Sequence, residues 1–113
     1  AYNESATGLS RAPVNFILTE GGVCKGGMKA SAAGGHFFVM WLFVDEALRG
    51  RGWGARLMQA AESEARARGC AKIFVDTMAF QAPAFYSKLG FEVCARITDF
   101  YPGSDRIFYF KSL

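Results

Sequence analysis

With 113 residues, 51% of them hydrophobic and 15% aromatic, the chain is sized for one domain around one bulky core, which excludes a disordered polypeptide. A formal charge of +3 is too small to argue for a nucleic-acid partner. The longest apolar run, Phe37 to Val44, is too short to cross a bilayer; the three cysteines (Cys24, Cys70, Cys94) are odd in number and lack a CxxC, so neither a disulfide framework nor a metal site is indicated.

In chain order, residues 1 to 13 are small and polar for the most part and read as a loosely attached arm. Val14 to Glu20 is rich in β-formers and ends at Gly21-Gly22, a strand followed by a turn. Val23 to Ala33 fits a second strand closing a hairpin, although glycine and alanine dilute its pattern. His36 to Val44 (HFFVMWLFV) is apolar almost throughout, as expected of a central strand buried on both faces. From Trp53 to Arg68, Leu57, Met58, Ala61 and Ala65 recur at helical spacing, with charged residues opposite and Gly69 as the stop. Glu62 with Arg66 and Glu64 with Arg68 stand four apart in the favourable acid-first order.

Ala71 to Thr77 is the next strand, and the strand-helix-strand order makes it a parallel neighbour of the central one. Pro83 opens a short helix that stops at Gly90. Phe91 to Ile97 and Arg106 to Lys111 are the last strands, joined by a loop over Thr98 to Asp105 with a turn at Pro102-Gly103. The predicted order is β-β-β-α-β-α-β-β in a single domain over residues 1 to 113, with no repeats or linkers. The absence of a basic-then-apolar leader reads as a soluble, cytoplasmic protein, with the cysteines as small buried hydrophobes.

The segment Arg49-Gly50-Arg51-Gly52-Trp53-Gly54-Ala55 lies between the central strand and the first helix, where bare backbone N–H groups and the helix terminus favour an anion. Arg49, Arg51 and Arg56 add guanidinium forks suited to phosphate oxygens. A P-loop is excluded because no lysine follows the glycines. Gly50-x-Gly52-x-x-Ala55, with Asp76 on the following strand, partly fits a dinucleotide fingerprint and hence an NAD(P)-dependent oxidoreductase. Against it, Asp45 to Arg49 separate the strand from the first glycine, and the chain ends in one short helix and a hairpin.

Two stretches together match more of the chain. Val44-Asp45-Glu46-Ala47-Leu48-Arg49-Gly50-Arg51-Gly52-Trp53-Gly54 resembles the acetyl-CoA-binding motif of the GNAT superfamily of acetyltransferases. Phe80-Gln81-Ala82-Pro83-Ala84-Phe85-Tyr86-Ser87-Lys88-Leu89-Gly90-Phe91-Glu92 is similar to that superfamily's second signature, the short helix ending in FYxKxGF. The resemblance covers residues 14 to 113 and implies a mixed α/β fold: a mostly antiparallel sheet with one parallel central strand pair, flanked by helices. It implies acetyl-CoA as cofactor, with the pantetheine arm along Leu42, Phe43 and Val44 and the pyrophosphate on the turn from Arg49 to Ala55. It implies N-acetylation of a primary amine on a small molecule or peptide by direct attack. Tyr86 matches the tyrosine that protonates the departing thiolate, and a backbone N–H near Phe43 or Val44 would polarise the thioester carbonyl.

The chain departs from the family pattern at three places. The central strand has no carboxylate, which leaves Asp76 and Glu92 as candidate bases and His36 behind them. Ala79 stands where many relatives carry an Asn that bonds the cofactor. Asp45 and Glu46 read as turn residues, and Asp99 and Asp105 as loop acids that attract a cationic amine. Relatives begin with a strand and helices that wall off the acceptor, which residues 1 to 13 do not supply. Either the chain is a truncated form or another copy supplies the wall, and the sheet face otherwise exposed predicts a homodimer whose partner covers it. A non-catalytic acyl-CoA-binding module is the alternative function, because the shortened front and missing strand carboxylate weaken catalysis rather than cofactor binding.

Overall fold

The computed structural model describes residues 12–78 and 83–113. The polar arm up to residue 11, and residues 79–82 with Ala79 and the start of the second signature, lie outside the described residues. Six strands form one sheet: β1 (Ala12–Glu20), β2 (Val23–Ala33), β3 (His36–Val44), β4 (Lys72–Met78), β5 (Glu92–Tyr101) and β6 (Ser104–Ser112). Helix α1 (Trp53–Ala67) connects β3 to β4, and α2 (Pro83–Lys88) precedes β5. The spatial order is β1-β2-β3-β4-β6-β5, with β3 and β4 parallel and every other pair antiparallel. One parallel pair in an otherwise antiparallel sheet is the expected mixed α/β fold and excludes the doubly wound sheet of a dinucleotide enzyme.

The apolar stripe of α1 buries Leu57, Met58, Ala61 and Ala65, the four residues its periodicity singles out. They pack on Met28, Ala30, Phe37, Val39, Ile73 and Val75 of the three central strands. Outward, Arg68 pairs with Glu64 at 2.7 Å and Arg66 with Glu62 at 3.7 Å. The chain leaves the helix through Gly69 at φ 72°, a conformation that favours glycine.

Several expectations are corrected. Ala12 and Pro13 belong to β1, because β2 is long enough to pair with them through Ala32 and Ser31. The stretch from Thr98 is strand rather than loop: β5 runs to Tyr101, which pairs with Ser104 across the Pro102-Gly103 turn. Asp99, at φ 50°, marks an irregularity in that hairpin. Cys70 is buried as expected, but Cys24 and Cys94 are exposed free thiols, near the β1–β2 turn and on edge strand β5 respectively.

Strand β3 is buried on one face only. Phe37 and Val39 lie under α1, whereas Phe38, Met40 (48% exposed), Trp41 (54%) and Phe43 face away from the core. The pairing of β2 with β3 shifts between Lys29 opposite Trp41 and Ala30 opposite Val39, so Met40 is the extra residue of a β-bulge. Beyond it, Leu42 and Val44 turn toward the helices. No helix among the described residues is long and apolar enough to cross a membrane.

Candidate active site

β3 and β4 part company halfway along. They pair from His36 opposite Lys72 to Val39 opposite Val75 and no further, yet β3 stays with β2 to Val44 and β4 stays with β6 to Met78. The facing edges of residues 40–44 and 76–78 therefore lack each other as backbone partners, and a cleft of about 960 Å³ opens between them. It begins at the Met40 bulge, where the extra residue bends the strand away from its neighbour.

The glycine turn closes one end of the cleft. Asp45 caps a single 3-10 turn (Glu46–Leu48), its Oδ1 accepting the Ala47 N–H at 2.9 Å, as the turn reading expects. Arg49 donates its Nε to the Val44 carbonyl at 2.9 Å, tying the turn to the end of β3. Gly50 (φ 78°) and Gly52 (φ 81°) take the left-handed conformation. A side chain at either would meet nothing within 4 Å, so the space above the turn is open. Gly52 is the N-cap of α1 and offers no side-chain acceptor; the first N–H returned to the turn is that of Arg56, to the Gly52 carbonyl at 3.1 Å. The preceding N–H groups are left for another acceptor, with the positive end of the helix behind them. Gly54 answers a different need: a Cβ there would stand 3.2 Å from Phe85, so it lets α1 approach α2. Arg56 covers the Trp53 ring at 4.3 Å.

On the opposite wall stand Asp76 and Tyr86. Tyr86 is buried among Phe85, Phe91 and Tyr109, with ring centroids 5.0, 5.9 and 5.3 Å away. Burial, then the charge of Asp76, then Tyr109 push its pKa up to about 12. Asp76 forms an ion pair through Oδ2 with Arg106 of β6.

Leu42, Phe43, Val44, Arg49, Gly50, Gly52, Trp53, Gly54, Ala55, Asp76 and Tyr86 thus converge on one cleft. Arg51 does not line it; the residue is exposed on the turn. Glu92 does not line it either, because β6 lies between β4 and the β5 strand that carries it. His36 sits at the closed end of the β3–β4 pair, edge-on to Phe38 and Phe74. Asp105 is engaged by Arg96 at 2.7 Å and by the Asp99 N–H at 3.1 Å, which hold its carboxyl below the usual range, and it does not line the cleft. Sequence reasoning missed Arg106, which reaches the cleft only through its register opposite Met78, and Met40, whose bulge has no sequence signature.

Known proteins are similar to this chain in sequence and fold. A family model described as acetyltransferase (GNAT) domain matches residues 13–93. A blasticidin-S acetyltransferase of Streptomyces morookaense is 40% identical over 89 residues, covering 78% of this chain and 65% of that protein. An acetyltransferase of Agrobacterium fabrum is 39% identical over 93 residues, covering 80% and 68%. The chain thus spans about two thirds of the length of these relatives. A crystal structure of an acetyltransferase from Bacillus cereus superposes with a TM-score of 0.87 at 31% identity, over 91% of this chain and 74% of that one. The splayed strand pair, the uncapped glycine turn and these matches together establish that the chain belongs to the GNAT acetyltransferase family.

Proposed function

We propose that this domain transfers an acetyl group from acetyl-CoA to a primary amine of a small molecule or peptide, with Tyr86 as general acid. The observation that carries the reading is the meeting, in one cleft, of an unpaired strand edge, an uncapped helix start and a buried tyrosine. The residues fit the cofactor, which when bound supplies an activated acyl thioester. Open space over Gly50 and Gly52 suits a diphosphate against backbone N–H groups, and the edge of Leu42, Phe43 and Val44 suits an amide-bearing arm as a neighbouring strand would. The family and the name of the blasticidin-S acetyltransferase support a small-molecule acceptor.

A backbone N–H of Phe43 or Val44 serves as the oxyanion donor. Asp76 would take one proton from the bound ammonium, freeing the lone pair that attacks; as the C–N bond forms and the C–S bond breaks, Tyr86 would give its hydroxyl proton to the departing sulfur and recover the second nitrogen proton, while Asp76 releases its own to water. A pKa near 12 keeps Tyr86 protonated throughout the neutral range. Arg106 pairs with Oδ2 of Asp76 and holds the carboxylate at the cleft wall. Such chemistry belongs in the cytoplasm, where the acetyl donor is supplied. We also infer a homodimer, supported by the apolar Ile17, Trp41 and Phe43 exposed on the face that none of the described helices covers, the helix-free face.

Thermal shift with CoA tests the cradle, and free-thiol release from acetyl-CoA with a panel of amines tests the chemistry. Tyr86→Phe keeps the packed ring and should lower the rate by at least about 100-fold with CoA stabilisation unchanged. An unaltered rate would overturn the acid assignment. Stabilisation by CoA without thiol release from any amine would instead favour the non-catalytic binding module, the reading supported by the absence of a carboxylate from β3.

A further inference from the structure

A second hollow, of about 350 Å³, lies on the helix-free face over β3, β4, β5 and β6. Phe38 and Phe74 line it, stacked on each other with centroids 5.4 Å and planes 16° apart; Phe108, Met40, Cys94 and Ala95 also line it. Its one charged lining side chain is Asp76. Met40, Val75 and Asp76 line both this hollow and the larger cleft, so the two communicate through the gap where β3 and β4 part. Arg106 lines the cleft and not the hollow; it pairs with Oδ2 of Asp76 and stands over the Phe108 ring at 5.7 Å, so Asp76 is the charged group that the hollow itself reaches.

We propose that this hollow seats the acceptor and that the acceptor is a primary amine carried on an aromatic body, its ammonium directed at Asp76. The inference rests on the acetyltransferase reading above and adds the substrate class. A ring against Phe38, Phe74 and Phe108 gains from burial and from stacking geometry. A hydroxylated or doubly charged body would lose hydration there, with one carboxylate to compensate it. An acidic acceptor would meet the carboxylate of Asp76 head on. The volume lies at the small end of ligand sites, which suits a single-ring amine rather than a large polycation.

The experiment compares 2-phenylethylamine with ethanolamine and putrescine as acceptors. The aromatic amine should have at least about a 10-fold higher kcat/KM. Ala95→Trp, on an exposed position of β5, fills the hollow without touching the cleft. It should raise the KM for 2-phenylethylamine at least about 10-fold while leaving the KM for acetyl-CoA and the thermal shift with CoA unchanged. Independently, in a Cys24→Ser background, 2-phenylethylamine should slow N-ethylmaleimide labelling of the exposed Cys94 on the CoA-loaded protein. Equal use of ethanolamine or putrescine, an unmoved KM in Ala95→Trp, or unprotected Cys94 would each overturn the aromatic-amine seat and leave the acetyltransferase reading intact. Failure of the wild type both to bind CoA and to release thiol would overturn the acetyltransferase reading itself, and the seat with it.

Discussion

Burial raises the pKa of Tyr86, and the direction of that shift fixes how its contribution to stability depends on pH. The folded pKa of about 12 lies above the unfolded value of about 10, so the native state holds this proton more tightly. The stabilisation is whole below pH 10 and is lost as the pH rises through about 12; in full it is worth about 3 kcal/mol. Urea midpoints measured at pH 9 and pH 11.5 should therefore fall further in the wild type than in Tyr86→Phe, and equal falls would remove Tyr86 as the cause. Asp105 runs the other way: its lowered pKa contributes stability above the usual carboxylate range that is lost as pH falls through the lowered value. Tyr86 was legible because FYSKLGF is contiguous. Arg106 was not, since only the pairing of β4 with β6 brings it to Asp76. For the same reason Glu92 looked close to the short helix in sequence, while β6 holds it a strand away from the cleft.

Among the elements, the turn into α1 combines two uses of glycine that the sequence presents as one. At Gly52 the constraint is conformational: φ is 81° and an added Cβ meets nothing, so a substitution strains the backbone without a clash. Gly52→Ala should cost about 1 kcal/mol and, by disturbing the uncapped N–H groups, weaken CoA binding about 5-fold or more in calorimetry. Undiminished affinity would mean that the turn is not the anion cradle. At Gly54 the constraint is steric, through Phe85, and could not be read without knowing that α2 lies against α1. Strands and helices with a clean period were readable to within a few residues, as were the buried face of α1 and its ion pairs. The apolar run of β3 misled because hydrophobicity on both faces normally signals cover on both faces. Here the bulge at Met40 shifts the alternation, and the described helices cover one side alone.

For the whole molecule, the sheet order carries information that no local pattern holds. A closing hairpin was readable, but not that β6 inserts beside β4 and leaves β5 at the edge. That order puts Asp76 at the junction of two cavities and leaves a broad apolar face beyond them. Ile17, Gly27 and Phe43 lie in register across β1, β2 and β3, and Ile17 is 69% exposed. A second copy seated on Ile17, Gly27 and Phe43 would bury that patch while leaving the hollow over β3, β4, β6 and β5 to the acceptor. The expected mass by light scattering at micromolar concentration is twice 12.3 kDa, with a melting temperature that rises with protein concentration. Ile17→Arg, at a position that lines neither cavity, should abolish that concentration dependence and halve the mass while CoA still stabilises the fold. A wild type that is monomeric at every concentration would exclude the dimer. A dimer indifferent to Ile17→Arg would place its interface elsewhere, because a guanidinium buried there without a partner could not be tolerated.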